Sequence, residues 1–185
     1  NACVAGEPHR PVRASIQLKP ITPPPERNSM AGATTAGARP QPLDGFRVLE
    51  IATMIAGPYC ASLLGEFGAE VIKVENFPEG DASRRFDPKI NDESYCYAVL
   101  NRNKKSLALN MKEPRGKEVF MRLAAEADII TENFRPGVVR KLGIDYEAVR
   151  AVNPKVIYAS MSGFGQTGPY GKKGGFDIVA QGMSG

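Results

Sequence analysis

Residues 47–75, RVLEIATMIAGPYCASLLGEFGAEVIKVE, decide the fold. The segments at either end, RVLEIA over 47–52 and EVIKVE over 70–75, are short, mostly apolar and rich in β-branched residues, and read as strands. Between them Gly57-Pro58 breaks the chain and residues 59–67 form a helix. Pro58 suits a first helical turn, where its missing N–H has no intrahelical carbonyl to serve, and Gly68 ends the helix. The same alternation continues outward. A polar loop spans 76–94, a strand 106–110, and a helix 114–127 with Val119, Phe120, Leu123 and Ala124 on one face. A strand over 128–132, short helices over 136–142 and 146–152, and a strand over 156–161 follow. A glycine-rich loop, 163–175, leads to Asp177, which is expected to cap a last helix. Strands alternating with helices at this spacing predict an α/β protein built on a parallel, doubly wound sheet. Ligands of such sheets bind beyond the carboxyl ends of the strands.

Composition narrows the chemistry. The chain has 185 residues with 42% hydrophobic and 24% charged content, ordinary for a soluble globular protein. No apolar run approaches the ~18 residues a membrane span requires. The net charge of +4 is concentrated at the front. Residues 1–42 hold Arg10, Arg13, Lys19, Arg27 and Arg39 against Glu7 and Glu26, and the rest is nearly neutral, so a nucleic-acid partner is not expected. Those 42 residues also carry eight of the 15 prolines, and they read as a disordered tail or leader ahead of a domain over 43–185. Met30 is a sensible translation start, and an acid-poor, Arg-containing leader would also suit an organelle transit segment. The location expected is cytoplasmic, or the mitochondrial matrix if that leader is a transit peptide. The three cysteines, Cys3, Cys60 and Cys96, are too few and scattered for a disulfide framework or a zinc site, so no metal is expected. The one histidine is His9, which removes Ser-His, Cys-His and His-based proton transfer from residues 43–185.

The loops after Ala52, Glu75, Glu132 and Met161 follow strand ends and are the places to look for a ligand site. Residues 53–58 make a strand-to-helix turn of small residues, either a tight βα connection or a place where anionic oxygens reach helix N–H groups. Glu75 ends the second strand where dinucleotide folds place an acid for the ribose, although the glycine fingerprint is missing. Asn101-Arg102-Asn103-Lys104-Lys105 is a basic patch, read as a solvated face or as a phosphate contact. Asn133 and Phe134 offer an amide and a ring face, with Arg135 and Lys141 close behind, and suit an adenine with its phosphates as well as they suit a cap and a core aromatic.

Taken in order, Leu43-Asp44-Gly45, Ala56-Gly57-Pro58, Gly68-Ala69-Glu70-Val71-Ile72-Lys73-Val74-Glu75, Gly80-Asp81, Asn101-Arg102-Asn103-Lys104-Lys105-Ser106, Glu132-Asn133-Phe134-Arg135-Pro136-Gly137, Asn153-Pro154 and Ser162-Gly163-Phe164-Gly165-Gln166-Thr167-Gly168-Pro169 closely resemble the class III CoA-transferases. That family includes formyl-CoA transferase, the carnitine CoA-transferases and α-methylacyl-CoA racemase, and the resemblance covers 43–185. It implies the front part of a large Rossmann-like domain, a longer polypeptide and an interlocked homodimer. It also implies CoA contacts at Ile55, Ala56, Asn76, Leu109, Asn110, Met111, Lys112, Asn133, Phe134, Arg135 and Lys141. Asn76 departs from the arginine often found at its position. The implied reaction moves CoA from an acyl-CoA to a small carboxylic or dicarboxylic acid through an aspartyl-CoA thioester. Its nucleophile is expected after Gly185 and is not Asp177, so no catalytic residue is assigned in this chain and residues 1–185 alone are expected to be inactive. Racemases of the family carry a histidine just before an aspartate as acid/base. Phe176 stands there instead, which favours transfer over epimerisation. An α-methylacyl-CoA racemase-type epimerase and an inactive CoA-binding relative are the alternatives.

Overall fold

A computed structural model of the chain describes residues 40–185. The tail expected over 1–42 lies outside the described residues except for its last three. Thirteen regular elements follow one another: β1 (Arg47–Glu50), α1 (Ala56–Glu66), β2 (Glu70–Asn76), β3 (Lys89–Ile90), β4 (Glu93–Ser94), α2 (Tyr95–Asn101), β5 (Lys105–Leu109), α3 (Pro114–Glu126), β6 (Ile129–Glu132), α4 (Val138–Leu142), α5 (Tyr146–Arg150), β7 (Ile157–Ser160) and α6 (Asp177–Ser184). A 3-10 turn, Ala82–Arg85, lies between β2 and β3. Five strands form one sheet in the order β5-β2-β1-β6-β7, and each neighbouring pair is parallel. Chain order reverses between β1 and β6, which makes the gap between their following loops the switch point of the sheet.

The sheet is covered on both faces, as parallel strands require. On one face Leu49, Ile51, Val74 and Ile130 pack with Phe120 and Ala124 of α3, Val149 of α5 and Ile144. Phe120 is fully buried, and burial of such a ring contributes about 2–3 kcal/mol. On the other face Val48, Val71 and Ala69 pack against Ala61 of α1. Helix α1 starts three residues earlier than expected, at Ala56, and Pro58 still falls within its first turn. Gly57 lets the helix close on the sheet: a Cβ there would meet Ala52 Cβ at 2.1 Å.

The structure departs from the sequence reading in three places. The segment 76–94 is not a continuous loop, since it holds the 3-10 turn and the antiparallel β3–β4 hairpin. Residues 95–101 form a helix that the sequence did not signal, because seven residues are too short to show a 3.6-residue period; the Ser94 side chain starts it by accepting the Tyr97 N–H at 3.2 Å. Asp177 is also not the cap of α6: Phe176 occupies that place, Asp177 is the first helical residue, and its carboxylate accepts from Gln181. No described helix is long and apolar enough to cross a membrane.

Candidate functional site

The carboxyl ends of β5, β2, β1 and β6 lie side by side. At ~4.8 Å per strand they make an edge about 14 Å long. At its centre one side chain joins the two loops of the switch point. Asn133 Oδ1 accepts the Thr53 N–H at 2.8 Å, and Asn133 Nδ2 donates to the Thr53 carbonyl at 2.8 Å. Asn133 is therefore held in one orientation by both ends of its amide. Glu132, buried beside it, accepts the Phe134 N–H at 2.8 Å. Burial raises the Glu132 carboxyl above its ordinary range, and hydrogen bonds from Ser160 and the Phe134 N–H only partly oppose that.

Most of the residues expected to contact CoA stand at or just after the strand ends of this edge, and Lys141 lies further on, in α4. Ile55, in the turn between β1 and α1, and Ala56, the first residue of α1, are both exposed. Asn76 ends β2 and stands in register with Leu109 at the end of β5, and its amide donates to Glu79 Oε2 at 2.6 Å. Asn110 leads into α3, its side chain accepting the Lys112 N–H at 3.1 Å. The Met111 side chain is buried in the main apolar cluster, and Phe134 packs partly against the same cluster, so the Met111 side chain is turned away from the edge and only part of the Phe134 ring is open. Lys112, Arg135 and Lys141 are exposed, and none pairs with a carboxylate among the described residues. Arg135 lies against the glycine-rich loop: a Cβ on Gly174 would meet its guanidinium at 2.9 Å.

The basic patch 101–105 resolves into separate structural roles. The Lys104 side chain is almost wholly buried and pairs with Glu50 Oε2 at 2.7 Å, a close ion pair rather than an aligned hydrogen bond. It also donates to the Pro58 carbonyl at 2.8 Å and Asn101 Oδ1 at 3.0 Å. Arg102 pairs with Glu66 and Lys105 with Glu70. Each cation of the patch thus already has a carboxylate partner. Glu75, considered as a ribose acid, is likewise engaged. It accepts from Arg84 Nε at 2.8 Å and Nη2 at 2.7 Å, from Tyr97 Oη at 2.8 Å and from the Asp81 N–H at 2.9 Å. Burial works to raise its carboxyl, but these donors outweigh it and hold it down at about 2.

The sequence reading missed a buried ionic chain beneath the edge. Glu50, Lys73 and Thr131 stand in register on the face covered by α1. Lys73 Nζ pairs with Glu50 Oε1 at 2.8 Å and with Asp81 Oδ2 at 2.9 Å, and donates to the Ala52 carbonyl at 3.1 Å. Two cations, Lys73 and Lys104, thus balance two anions, Glu50 and Asp81, each shielded from water. Asp81 further accepts the Ser83 N–H at 2.9 Å, Ser83 Oγ at 2.8 Å and the Met54 N–H at 3.0 Å. Burial raises the Asp81 carboxyl, and Lys73 with the backbone donors more than reverses it, leaving it below the usual range. A signal was present: Glu50 and Lys73 are opposite charges at matching places in two apolar strands.

Residues 43–185 match CoA-transferase family III. The chain is 44% identical over 157 residues to the succinyl-CoA–L-malate CoA-transferase beta subunit of Chloroflexus aurantiacus, covering 84% of this chain and 38% of that one. It is 44% identical over 146 residues to the succinyl-CoA:glutarate CoA-transferase of Mus musculus, covering 78% and 34%. Against the acetyl-CoA:oxalate CoA-transferase of Acetobacter aceti the figures are 40% identity over 152 residues, 82% and 39%. The crystal structure of a CAIB/BAIF family protein from Brucella suis superposes with a TM-score of 0.74 at 42% identity, covering 78% of this chain and 39% of that one. The chain spans between 34% and 39% of the length of these relatives.

Proposed function

The chain belongs to CoA-transferase family III, and from that premise we propose that it is the CoA-holding part of an enzyme that moves CoA from an acyl-CoA donor to a small carboxylic acid. The observation that carries the reading is the family match over 43–185, within which the relatives named above act on CoA thioesters and small acids. Their names favour succinyl-CoA as donor and a dicarboxylate such as malate or glutarate as acceptor.

In this reading the edge of the sheet receives the cofactor-like substrate. Lys112, Arg135 and Lys141 supply positive charge for the phosphates, and the open part of the Phe134 ring supplies a surface for the adenine. Ile55 and Ala56 flank the switch point, where Asn133 fixes the loops on either side. Transfer runs through an aspartyl-CoA thioester: a carboxylate attacks the thioester carbonyl and displaces CoA thiolate, which re-attacks the mixed anhydride and releases the donor acid. The acceptor carboxylate then repeats the exchange in reverse. The attacking aspartate is expected after Gly185, so residues 1–185 bind CoA without turning it over. A homodimer accompanies this proposal, as does a cytoplasmic location, or the mitochondrial matrix if the leader is a transit peptide.

Isothermal titration of the full chain with CoA, beside an assay for glutaryl-CoA formed from succinyl-CoA and glutarate, tests it. Saturable CoA binding without transfer is the expected result. Absence of binding would contradict a CoA site at the sheet edge, and transfer by this chain alone would overturn the placement of the nucleophile.

A further inference from the structure

The turn between β1 and α1 has a conformation that its own sequence does not favour. Met54 sits at φ +66°, in the left-handed region, where a side chain is strained and glycine would not be. Such a residue persists only where its surroundings over-determine it. Here the surroundings are identifiable. The Met54 N–H is directed at the Asp81 carboxylate, 3.0 Å from Oδ1 and 3.2 Å from Oδ2. Asp81 is itself fully buried and tied to Lys73, which is tied in turn to Glu50 on β1. On the preceding residue, Thr53 is held by Asn133. The turn is thus gripped from two sides, by a loop after β6 and by a loop after β2.

We infer that Asp81 is a positioning residue for ligand binding: by holding the Met54 N–H it keeps Ile55 and Ala56 at the carboxyl edge in the conformation that CoA meets. This rests on the proposed CoA reading. The group acts through the turn and touches no ligand itself. The buried charge chain gives the grip its stiffness, because Asp81 cannot swing away without leaving Lys73 short of an anion in a dry interior. A hydrogen bond to a charged acceptor is also stronger than one between neutral groups, so the carboxylate holds the Met54 N–H better than an amide would.

Asp81→Asn keeps the size and an acceptor oxygen while removing the charge. Three quantities are read on the full chain: amide hydrogen exchange across residues 53–56, exchange across the β1 and β6 cores, and CoA affinity by titration calorimetry. Exchange in the turn is expected to speed about tenfold while the strands stay protected, and the Kd for CoA to rise about tenfold. If Asp81→Asn does not accumulate folded, Ser83→Ala removes one donor to Asp81 Oδ1 and should move both readings the same way by about threefold. Turn and strands opening in step would show a merely structural role and overturn the inference, as would a loosened turn with unchanged CoA affinity or a turn that does not loosen. If the unsubstituted chain binds no CoA, the proposed function fails, and the exchange data alone then decide whether Asp81 sets the turn.

Discussion

The turn after β1 and the loop after β7 both leave carboxyl ends of the same sheet, and they are held in opposite ways. Residues 53–56 are gripped by side chains: Asn133 on Thr53, and Asp81 on Met54, backed by Lys73, Glu50 and Lys104. The loop over 163–175 is held by the absence of side chains. Gly163 and Gly175 cross so closely that a Cβ on either would meet the other's Cα at 2.5 Å. Within it Phe164 and Tyr170 pack at 5.7 Å, Lys173 lies 4.1 Å over Tyr170, and most residues are exposed. Rigidity near a ligand site can therefore come from buried charge, which is costly to disturb, or from backbone contact, which is cheap to disturb globally and locally decisive.

The largest effect should come from Lys73→Met. It leaves Glu50 and Asp81 as buried carboxylates, one without any cation, and should cost about 3–5 kcal/mol in urea denaturation. A loss below about 1 kcal/mol would show that the charge chain does not organise the first region.

Acid should weaken the same region. Glu75 has its carboxyl lowered to about 2, so its contribution is fully present above the unfolded value near 4.5 and is lost as pH falls from there toward about 2. The loss is about 3 kcal/mol, and Asp81, also lowered, adds in the same direction. Glu132 works the other way, because its raised carboxyl favours the folded state as pH falls. Urea midpoints measured between pH 6 and 3 should decline, and a flat profile would contradict the pairing of Glu75 with Arg84.

Asn133→Ala removes both bonds to Thr53 and should cost about 1–2 kcal/mol, with faster amide exchange at Thr53 than at Val48. Gly163→Ala should change global stability by less than about 1 kcal/mol yet speed proteolytic cleavage within 163–175 several-fold. Cleavage unchanged by that substitution would mean the glycine crossing does not close the loop.

The sheet was legible because parallel strands buried on both faces announce themselves as short β-branched runs between helical periods, as in RVLEIA and EVIKVE. All five of its strands and their parallel direction stand where the alternation put them, within one or two residues. Helix α2 was not legible, since seven residues carry less than two turns of pattern. The role of Lys104 was hidden for a different reason. A lysine in a basic patch looks solvated, and only the fold brings Glu50, some fifty residues away, against it. Glu75 was noticed and its position was right, but Arg84 and Tyr97 come from the segment taken for a polar loop. Among the expected CoA contacts, those after β1, β2, β5 and β6 do fall on one edge, which follows from topology. The burial of Met111 does not follow from topology, because its place after a strand end leaves its direction open.

CoA is proposed to bind along the edge formed by β5, β2, β1 and β6. A two-dimensional amide NMR titration of the full chain with CoA to about 1 mM tests it most directly. The largest shifts are expected at Ile55, Ala56, Lys112, Asn133, Phe134, Arg135 and Lys141, with Arg47, Glu70 and Ile129 at the opposite ends of the strands unmoved. Shifts gathered at those amino-terminal ends, or none anywhere, would contradict it.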